Sequence, residues 1–507
     1  LRKELRSKGY EFQSDTDTEV LLYLYAEHGR GFVERLRGMY AFALYDEQER
    51  GLLMARDPYG IKPLYYADDG QALRVASQVQ ALQKNEAVDT SANPAGHVGF
   101  FLWGHVPEPH TLYRGIQALP AGHTCWVSEA GGADEPRPFD TVPGALRRAE
   151  TSANGRPPKT ALRDALLDSV ERHLIADVDV GLFLSAGLDS ATLTALAAEV
   201  HDQVKTVTLG FKEFRGTPED EVPGAERLAR RYDTDHETVW VTRQDFAEAH
   251  DDLLAAMDQP TIDGANSYFV SRAAREAGLK VALSGLGGDE LFGGYPSFSQ
   301  IPSLVSTVGA VPGAAAIGTG VRAVAAPVVE RMTSPKYAGL LEYGTDYGGA
   351  YLLRRGLYMP WELPEVLDPD LAREGWEQLQ PLARLGETTR GTENEHLRVT
   401  ALESSWYMKN QLLRDTDWAS MAHSLEVRTP LVDWKLLRRV APLVARHGLT
   451  KQDMARAPAT PPPDDLLDRP KSGFTVPVRE WLLTDRPEYE STRGLRGWAQ
   501  YIYEQKT

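Results

Sequence analysis

The chain has 507 residues, of which 42% are hydrophobic and 25% are charged, and its formal net charge is −17. This length and composition predict two or three globular domains and exclude wholesale disorder, and the acidic balance argues against nucleic acid as a main partner. Cys125 is the single cysteine, so an intrachain disulfide is excluded and a reducing, cytoplasmic compartment is expected.

The first 130 residues predict an α+β arrangement. An amphipathic helix is expected over 17–29, ending at Gly29. Two hairpins are expected within 39–57 and 62–77, where β-like runs flank charged or Asp-Asp-Gly turns. A last strand is expected near 122–128, in GHTCWVS.

Residues 136–158 are rich in Gly, Pro and polar residues, which is typical of a linker. From residue 159 the pattern alternates between helices and apolar strands, which predicts a doubly wound parallel sheet. The predicted strands are DVGLFLS (179–185), VKTVTLGF (204–211), HETVWV (236–241) and LKVALSG (279–285), with helices between them. Beyond residue 300 the chain is predicted to be mostly helical. The uncharged stretch 291–321 contains too many Gly, Pro and Ser residues for a spanning helix, so no membrane association is expected.

The stretch 185–190 (SAGLDS) follows an apolar strand and opens a helix. Small residues let backbone N–H groups approach an anion, and a helix N-terminus favours negative charge. The loop is not a Walker P-loop, because no Gly-Lys-Ser/Thr follows. It predicts an anion cradle, and an ordinary tight β–α turn is the alternative.

A second glycine-rich stretch, 284–295 (SGLGGDELFGGY), also follows an apolar strand. Because both loops lie at the carboxyl edge of the predicted sheet, Asp189 and Asp289 can share a divalent ion. Mg²⁺ prefers one or two carboxylates together with phosphate oxygens and water. An anion cradle beside a Mg²⁺ site implies ATP, and a solvated surface turn is the alternative.

Several motifs together resemble one family. FLSAGLDS (183–190) is similar to the pyrophosphate loop of ATP-pyrophosphatase (PP-loop) enzymes. With 284–295, 412–433 (LLRDTDWASMAHSLEVRTPLVD) and 471–482 (KSGFTVPVREWL), the resemblance narrows to the glutamine-hydrolysing asparagine synthetases. GMYAFALYD and ARDPYGIKPLYY resemble the same family's N-terminal glutaminase.

The resemblance implies an incomplete N-terminal nucleophile (Ntn) hydrolase-type glutaminase over 1–135, a linker over 136–158 and a PP-loop synthetase over 159–507 with a helical C-terminal part. It implies MgATP-dependent adenylation of a carboxylate, aspartate by default, followed by amidation with ammonia derived from glutamine and carried through an internal channel. A homodimer is one expected assembly. The implied ATP and pyrophosphate residues are Phe183, Ser185, Gly187, Leu188, Asp189, Ser190, Leu209, Ser284 and Gly285, and Asp189 and Asp289 hold Mg²⁺. Lys471 and Asp189 are implied as catalytic, Lys471 by neutralising charge between the carboxylate and the α-phosphate, and Asp57 as glutamine-binding.

The chain departs from the family pattern at three places. Ala186 replaces a glycine, which is expected to be a mild change. Leu286 stands where the family has an acid and its β-lactam-forming relatives a tyrosine, so the acceptor is open: aspartate, or a sugar, peptide or β-lactam-type carboxylate. The family's glutaminase begins with a catalytic cysteine, whereas this chain begins with Leu1, and residues 1–10 match the helix just after the family's glutamine-holding Arg and Asn-Gly-Glu segments. Cys125 is expected to be a buried structural thiol. A truncated copy of a complete enzyme, an ammonia-dependent synthetase and a non-catalytic scaffold are the alternatives.

The 412–433 stretch carries several charges that predict either a buried ion-pair network framing the substrate or a purely structural network: Arg414, Asp415, Asp417, Glu426 and Arg428. His423 is expected to be a packed, hydrogen-bonded residue. Trp406, Tyr407 and Trp418 are expected to be core aromatics.

Overall fold

The computed structural model describes residues 1–129, 132–152, 158–332, 334–467 and 493–507, together with Pro477, Trp481 and Tyr489. Within these residues, no helix combines the length and the apolar character needed to span a bilayer.

The N-terminal part contains two antiparallel sheets. Their strands are β1 (Ala41–Asp46), β2 (Gly51–Arg56), β3 (Tyr65–Asp68), β4 (Leu73–Ala76), β5 (Gln117–Ala118), β6 (His123–Ser128), β7 (Gly132–Ala133) and β8 (Arg137–Pro138). The first sheet has the order β1-β2-β6-β7, with β8 also paired to β6, and the second has the order β4-β3-β5. The predicted hairpins correspond to β1–β2 and β3–β4, and the predicted last strand is β6.

The N-terminal part also contains helices. They are α1 (Arg2–Ser7), α2 (Asp17–His28), α3 (Val79–Gln83) and α4 (Pro94–Trp103), with a 3₁₀ helix at Gly29–Arg35. Helices α1 and α2 and the 3₁₀ helix pack on the first sheet, and α3 packs on the second. Leu24 and Phe32 pack with Leu53 of β2 into one buried cluster. Helix α4 is buried at all ten of its positions, and it packs against the C-terminal half of the chain.

The predicted linker contains a helix. Helix α5 (Val142–Thr151) begins at Thr141, whose hydroxyl accepts the N–H of Gly144 at 3.3 Å. Its apolar face, which includes Val142 and Leu146, is buried in the second large core cluster. Residues 142–151 of the predicted linker are therefore packed onto the protein. Their Gly- and Pro-containing composition is typical of a linker but does not exclude an amphipathic helix.

The C-terminal part is built on a five-stranded sheet. Its strands are β9 (Val180–Phe183), β10 (Lys205–Phe211), β11 (Asp235–Val241), β12 (Val281–Leu283) and β13 (Glu426–Arg428). They lie in the order β11-β10-β9-β12-β13, and every pair is parallel. The connecting helices are α6 (Pro158–His173), α7 (Leu188–Val200), α8 (Val222–Arg231), α9 (Arg243–Ala256) and α10 (Ala265–Glu276).

The strand order reverses between β9 and β12. Chain order runs outward from β9 through β10 and β11 on one side, whereas β12 and β13 lie on the other. In parallel sheets such a switch point opens a crevice beyond the carboxyl ends of the strands. The loops after β9 and β12 are the two glycine-containing loops singled out in the sequence.

The remainder is helical, as predicted. Its helices are α11 (Gly288–Phe292), α12 (Ser297–Val308), α13 (Ala314–Met332), α14 (Leu340–Tyr343), α15 (Tyr347–Arg355), α16 (Pro369–Leu379), α17 (Pro381–Thr389), α18 (Glu395–Leu402), α19 (Arg414–Met421), α20 (Trp434–His447), α21 (Lys451–Ala455), α22 (Asp464–Leu467) and α23 (Arg496–Lys506). Helical turns of 3₁₀ type occur at Lys212–Phe214, Pro335–Gly339, Pro360–Glu365 and Pro430–Val432. Helices α18 and α19 are joined without a break by a π-helical segment, Glu403–Leu413, and we call the whole stretch 395–421 the long helix.

Candidate active site

The two loops at the switch point touch each other because glycines allow it. A Cβ added at Gly285 would lie 2.9 Å from the Cβ of Asp189 and 3.1 Å from the backbone nitrogen of Ser190. Gly287 has a φ of 98°, which favours glycine. The glycines of the second loop therefore serve its close approach to the first.

Hydrogen bonds within the first loop fix its shape. The Ser190 hydroxyl oxygen accepts the N–H of Ser185 at 3.1 Å and lies 3.1 Å from the carbonyl oxygen of Gly187. The N–H of Gly187 donates to the Ser185 hydroxyl at 3.1 Å. Ala186 does not have a positive φ, so alanine fits this loop without backbone strain.

Helix α7 follows this loop directly. No side chain caps its N-terminus at Gly187. Its first N–H groups therefore remain available to an anion, and the helix dipole adds positive potential at the same place.

Lys451 joins the two loops. Its ammonium lies 2.8 Å from an oxygen of Asp189 and also contacts a carboxylate oxygen of Asp289. Burial by itself lowers the pKa of Lys451, but the two carboxylates outweigh it and hold the pKa above its ordinary value. The lysine is therefore charged and forms ion pairs with both aspartates.

These groups line a cleft of about 550 Å³. The cleft also contains Leu286, in the second loop. The structure brings together along this cleft every described residue that was predicted to bind nucleotide, pyrophosphate or metal: Phe183, Ser185, Gly187, Leu188, Asp189, Ser190, Leu209, Ser284, Gly285 and Asp289.

The lining of the cleft also contains groups that sequence reasoning did not assign to the site. The hydroxyl of Tyr295 donates to Glu290 at 2.7 Å, and burial, with Asp289 beside it, raises the pKa of Glu290 to about 7. Tyr407 and Asp263 also line the cleft. Trp406 and Trp418 are buried, as expected, whereas Tyr407 faces the cleft and is not simply a core aromatic.

The donor set fits a magnesium–nucleotide complex. Among the described residues the lining offers one ammonium, Lys451, against five carboxyl groups: Asp189, Glu221, Asp263, Asp289 and Glu290. A polyphosphate entering such a cleft needs further positive charge, and two aspartates that share one lysine are close enough to share an ion. No group of three or more His, Cys, Asp or Glu suited to a metal occurs in the described ranges, so phosphate and water would complete the ligand set.

Two predicted site residues are not among those that the structure places along the cleft. Lys471 falls outside the described residues. Asp57 is buried in the N-terminal part, where its carboxylate oxygens accept the N–H groups of Tyr59, Ile61 and Lys62, each at 3.1 Å. Cys125 is buried, and burial raises the pKa of its thiol to about 11, which makes it a poor nucleophile.

The charged residues of 412–433 do not form one network. Arg414 donates to the carbonyl of Val106, and Asp415 accepts from Thr261 and Trp418. Lys62 pairs with Asp417, and Glu426 with Arg428. The contacts of Arg414 and Asp417 join the N-terminal and C-terminal halves of the chain, whereas the pair of Glu426 and Arg428 lies within β13.

Comparison with known proteins gives two family matches. The family described as asparagine synthase matches residues 161–495, and the glutamine amidotransferase domain matches residues 1–138. A putative asparagine synthetase [glutamine-hydrolyzing] of Mycobacterium tuberculosis is 33% identical, covering 95% of this chain and 74% of that protein. Asparagine synthetase [glutamine-hydrolyzing] 1 of Bacillus subtilis is 30% identical, covering 96% and 76%. Among solved structures, the glutamine phosphoribosylpyrophosphate amidotransferase of B. subtilis aligns with 14% identity over 56% of this chain and 58% of that chain, and its TM-score of 0.19 is too low to bear on the fold.

Proposed function

Because the chain belongs to the asparagine synthase family, we propose that it is an ATP-dependent carbon–nitrogen ligase that amidates a carboxylate. Aspartate is the default acceptor and glutamine the source of the ammonia, as the names of its relatives indicate. The observation that carries the proposal is the meeting of Asp189, Asp289 and Lys451 beside the loop 185–190. This arrangement suits a reaction that releases pyrophosphate.

Each element of the cleft has a definite task in this proposal. Bound MgATP supplies the activation of the acceptor carboxylate. The N–H groups at the start of α7 and the hydroxyl of Ser185 hold the pyrophosphate portion. Asp189 and Asp289 hold Mg²⁺, and Lys451 stays close enough to neutralise the phosphates. Phe183 and Leu209 border the nucleotide, and Lys471 is proposed to neutralise the charge that builds between the reacting anions.

The finer organisation is likewise proposed. Residues 1–135 are a glutaminase unit of N-terminal nucleophile type with Asp57 in its glutamine site, and residues 159–507 are a PP-loop synthetase unit. The connection between them, 136–158, includes α5. A cytoplasmic location and a homodimer complete the proposal.

A pyrophosphate-release assay tests this function. Ammonium chloride supplies the nitrogen, so that the result depends on the cleft alone. We expect release only when ATP, Mg²⁺ and an acceptor acid are all present, and we expect Asp189→Asn to lower it at least 100-fold, on the order of 3 kcal/mol of transition-state stabilisation.

The matched control is Asp179→Asn. Asp179 is 76% exposed and pairs with Lys205 at the opposite end of β9 and β10, so its loss should leave the rate unchanged. Full release by Asp189→Asn would show that the site is wrongly assigned.

A further inference from the structure

A second pocket, of about 280 Å³, lies between the two halves of the chain. The N-terminal half contributes Tyr59 and Glu108, and the C-terminal half contributes Arg384 of α17 and Lys409 of the long helix. No described residue lines both this pocket and the cleft. The pocket is therefore separate from the site described above.

The guanidinium of Arg384 is only partly used by the protein. Its Nη2 donates to the backbone carbonyl of Glu108, and its Cζ lies 5.3 Å from the centre of the Trp406 ring. Its Nη1 is buried and has no hydrogen-bond partner among the described residues. Buried donors in proteins are normally paired, so this N–H group marks a position where a ligand atom would bind.

Lys409 brings a second positive charge to the same pocket. Its ammonium lies 3.4 Å from one oxygen of Glu108, whose other oxygen pairs with Arg56 at 2.6 Å. One buried carboxylate is thus shared by two cations before Arg384 is counted. Burial lowers the pKa of Lys409 and of Arg384, and the charge of Glu108 offsets only part of that effect.

The other titratable groups of the lining do not balance these charges. Glu387 is 58% exposed and pairs with Arg390 at 2.7 Å, and such exposed pairs are screened by solvent. Burial lowers the pKa of His123, which is therefore neutral near pH 7. The described lining carries more positive charge than its buried carboxylate compensates, and a water molecule can satisfy a donor there but cannot neutralise the charge.

The groups that would contact a ligand are held in place by the fold. The side-chain oxygen of Asn410 accepts the N–H of Glu108 at 3.2 Å, and its nitrogen donates to the carbonyl of Trp406 at 2.9 Å. The indole N–H of Trp406 donates at 3.0 Å to the hydroxyl of Thr388, one turn beyond Arg384 on α17. Donors fixed in this way lose little conformational entropy when a ligand binds.

We propose that this pocket binds a small oxyanion, with Arg384 as the hydrogen-bond donor and Lys409 as the second charge. A carboxylate, sulfate or phosphate group presents at least two negative oxygens, which suits a guanidinium beside an ammonium. The inference goes beyond the proposed function, because it concerns a second site and requires no ATP, glutamine or acceptor acid. Its failure would leave the proposed ligase activity unaffected.

The first test is isothermal titration calorimetry of the unmodified chain with sodium sulfate and, separately, with sodium acetate. Both titrations are done at constant ionic strength without nucleotide or Mg²⁺. At least one anion should bind with a Kd on the order of 1 mM. Binding of sulfate alone assigns the pocket to inorganic oxyanions, and binding of acetate alone assigns it to carboxylates. If neither anion binds, the proposal is overturned without any substitution.

The second test uses variants to locate the bound anion. Arg384→Met should weaken binding about 10- to 100-fold, the range that a hydrogen bond to a charged group supplies, and Arg384→Lys should retain part of the affinity. Lys409→Met should also weaken binding, and it decides the question if Arg384→Met does not fold. Arg373→Met is the matched control, because Arg373 is 69% exposed on α16. An anion held instead by the loop 185–190 would bind Arg384→Met as tightly as the unmodified chain, and that result would overturn the proposal.

Discussion

Replacing Lys451 by Met should lower the free energy of unfolding, and added Mg²⁺ should restore most of the loss. The side chains of Lys451, Asp189 and Asp289 are only 17%, 17% and 15% exposed, so the substitution leaves two carboxylates facing each other with little solvent. Removing one partner of a buried ion pair costs about 3 to 5 kcal/mol, and the residual exposure places this case near 3 kcal/mol in buffer that lacks Mg²⁺.

The same geometry predicts how much of the free energy of unfolding Mg²⁺ restores. Lysine and Mg²⁺ compete for the same two carboxylates, so the variant should bind the ion more tightly than the unmodified chain does. If the ion is present at about 100 times its dissociation constant, binding adds about 2.7 kcal/mol to the free energy of unfolding. Most of the loss should therefore return.

Urea unfolding with EDTA and with excess Mg²⁺ measures both effects. Lys205→Met is the control, because its pair with Asp179 is exposed and should contribute less than about 1 kcal/mol with no dependence on Mg²⁺. If Mg²⁺ raised the free energy of unfolding equally in the unmodified chain and in Lys451→Met, the idea that the lysine and the metal ion compete for Asp189 and Asp289 would be refuted.

Three further outcomes are expected. Ser190→Ala should raise the KM for ATP roughly tenfold in the pyrophosphate assay, because the lost hydroxyl ties together the two ends of the first loop, and an unchanged KM would contradict this. Glu108→Gln should lower the free energy of unfolding in urea by about 3 kcal/mol, because Arg56, 2.6 Å away and 3% exposed, keeps its charge in the interior; unchanged stability would count against it. Burial and the nearby Arg414 depress the pKa of His105 to about 3, whereas histidine in an unfolded chain has a pKa near 6.5. Between these two values only the unfolded state binds the proton, so the free energy of unfolding should fall by up to about 1.4 kcal/mol for each pH unit from pH 6.5 down to pH 3. His105→Gln should flatten that pH dependence of unfolding, and identical slopes would argue against the assignment.

The two loops of the cleft were predictable because their signals are local. An apolar strand, then small residues, then a helix specifies an anion-binding turn within ten residues, and Ser185–Ser190 meets that description. The parallel order of the strands then places Ser284–Asp289 at the same edge. Asp189 and Asp289 were found together for this reason.

Lys451 was not predictable in the same way. It lies 162 residues beyond Asp289, on a five-residue helix. The local sequence shows only that Thr450 and Asp453 form a capping box, which marks a helix start and says nothing about a ligand. Lys451 reaches the two loops only through the tertiary fold, and the hydrophobic periodicity of the sequence carries no information about that contact.

The place of Tyr407 in the cleft and the presence of α5 were not predicted, for other reasons. The π-helical segment shifts the side-chain register, so a helical pattern at 3.6 residues per turn does not tell which of Trp406 and Tyr407 faces inward. In α5, Pro143 and Gly144 lie in the first turn, where a helix accommodates them, but their presence suggested a linker.

The long helix contacts both halves of the protein. Tyr407 is part of the cleft, while Lys409, two residues on, reaches Glu108 at 3.4 Å and Asn410 accepts the N–H of Glu108 at 3.2 Å. Residues two apart point to nearly opposite sides of a helix, so a displacement of the long helix would move its contacts on both sides. The long helix thus joins the cleft to the N-terminal half through one continuous helical element.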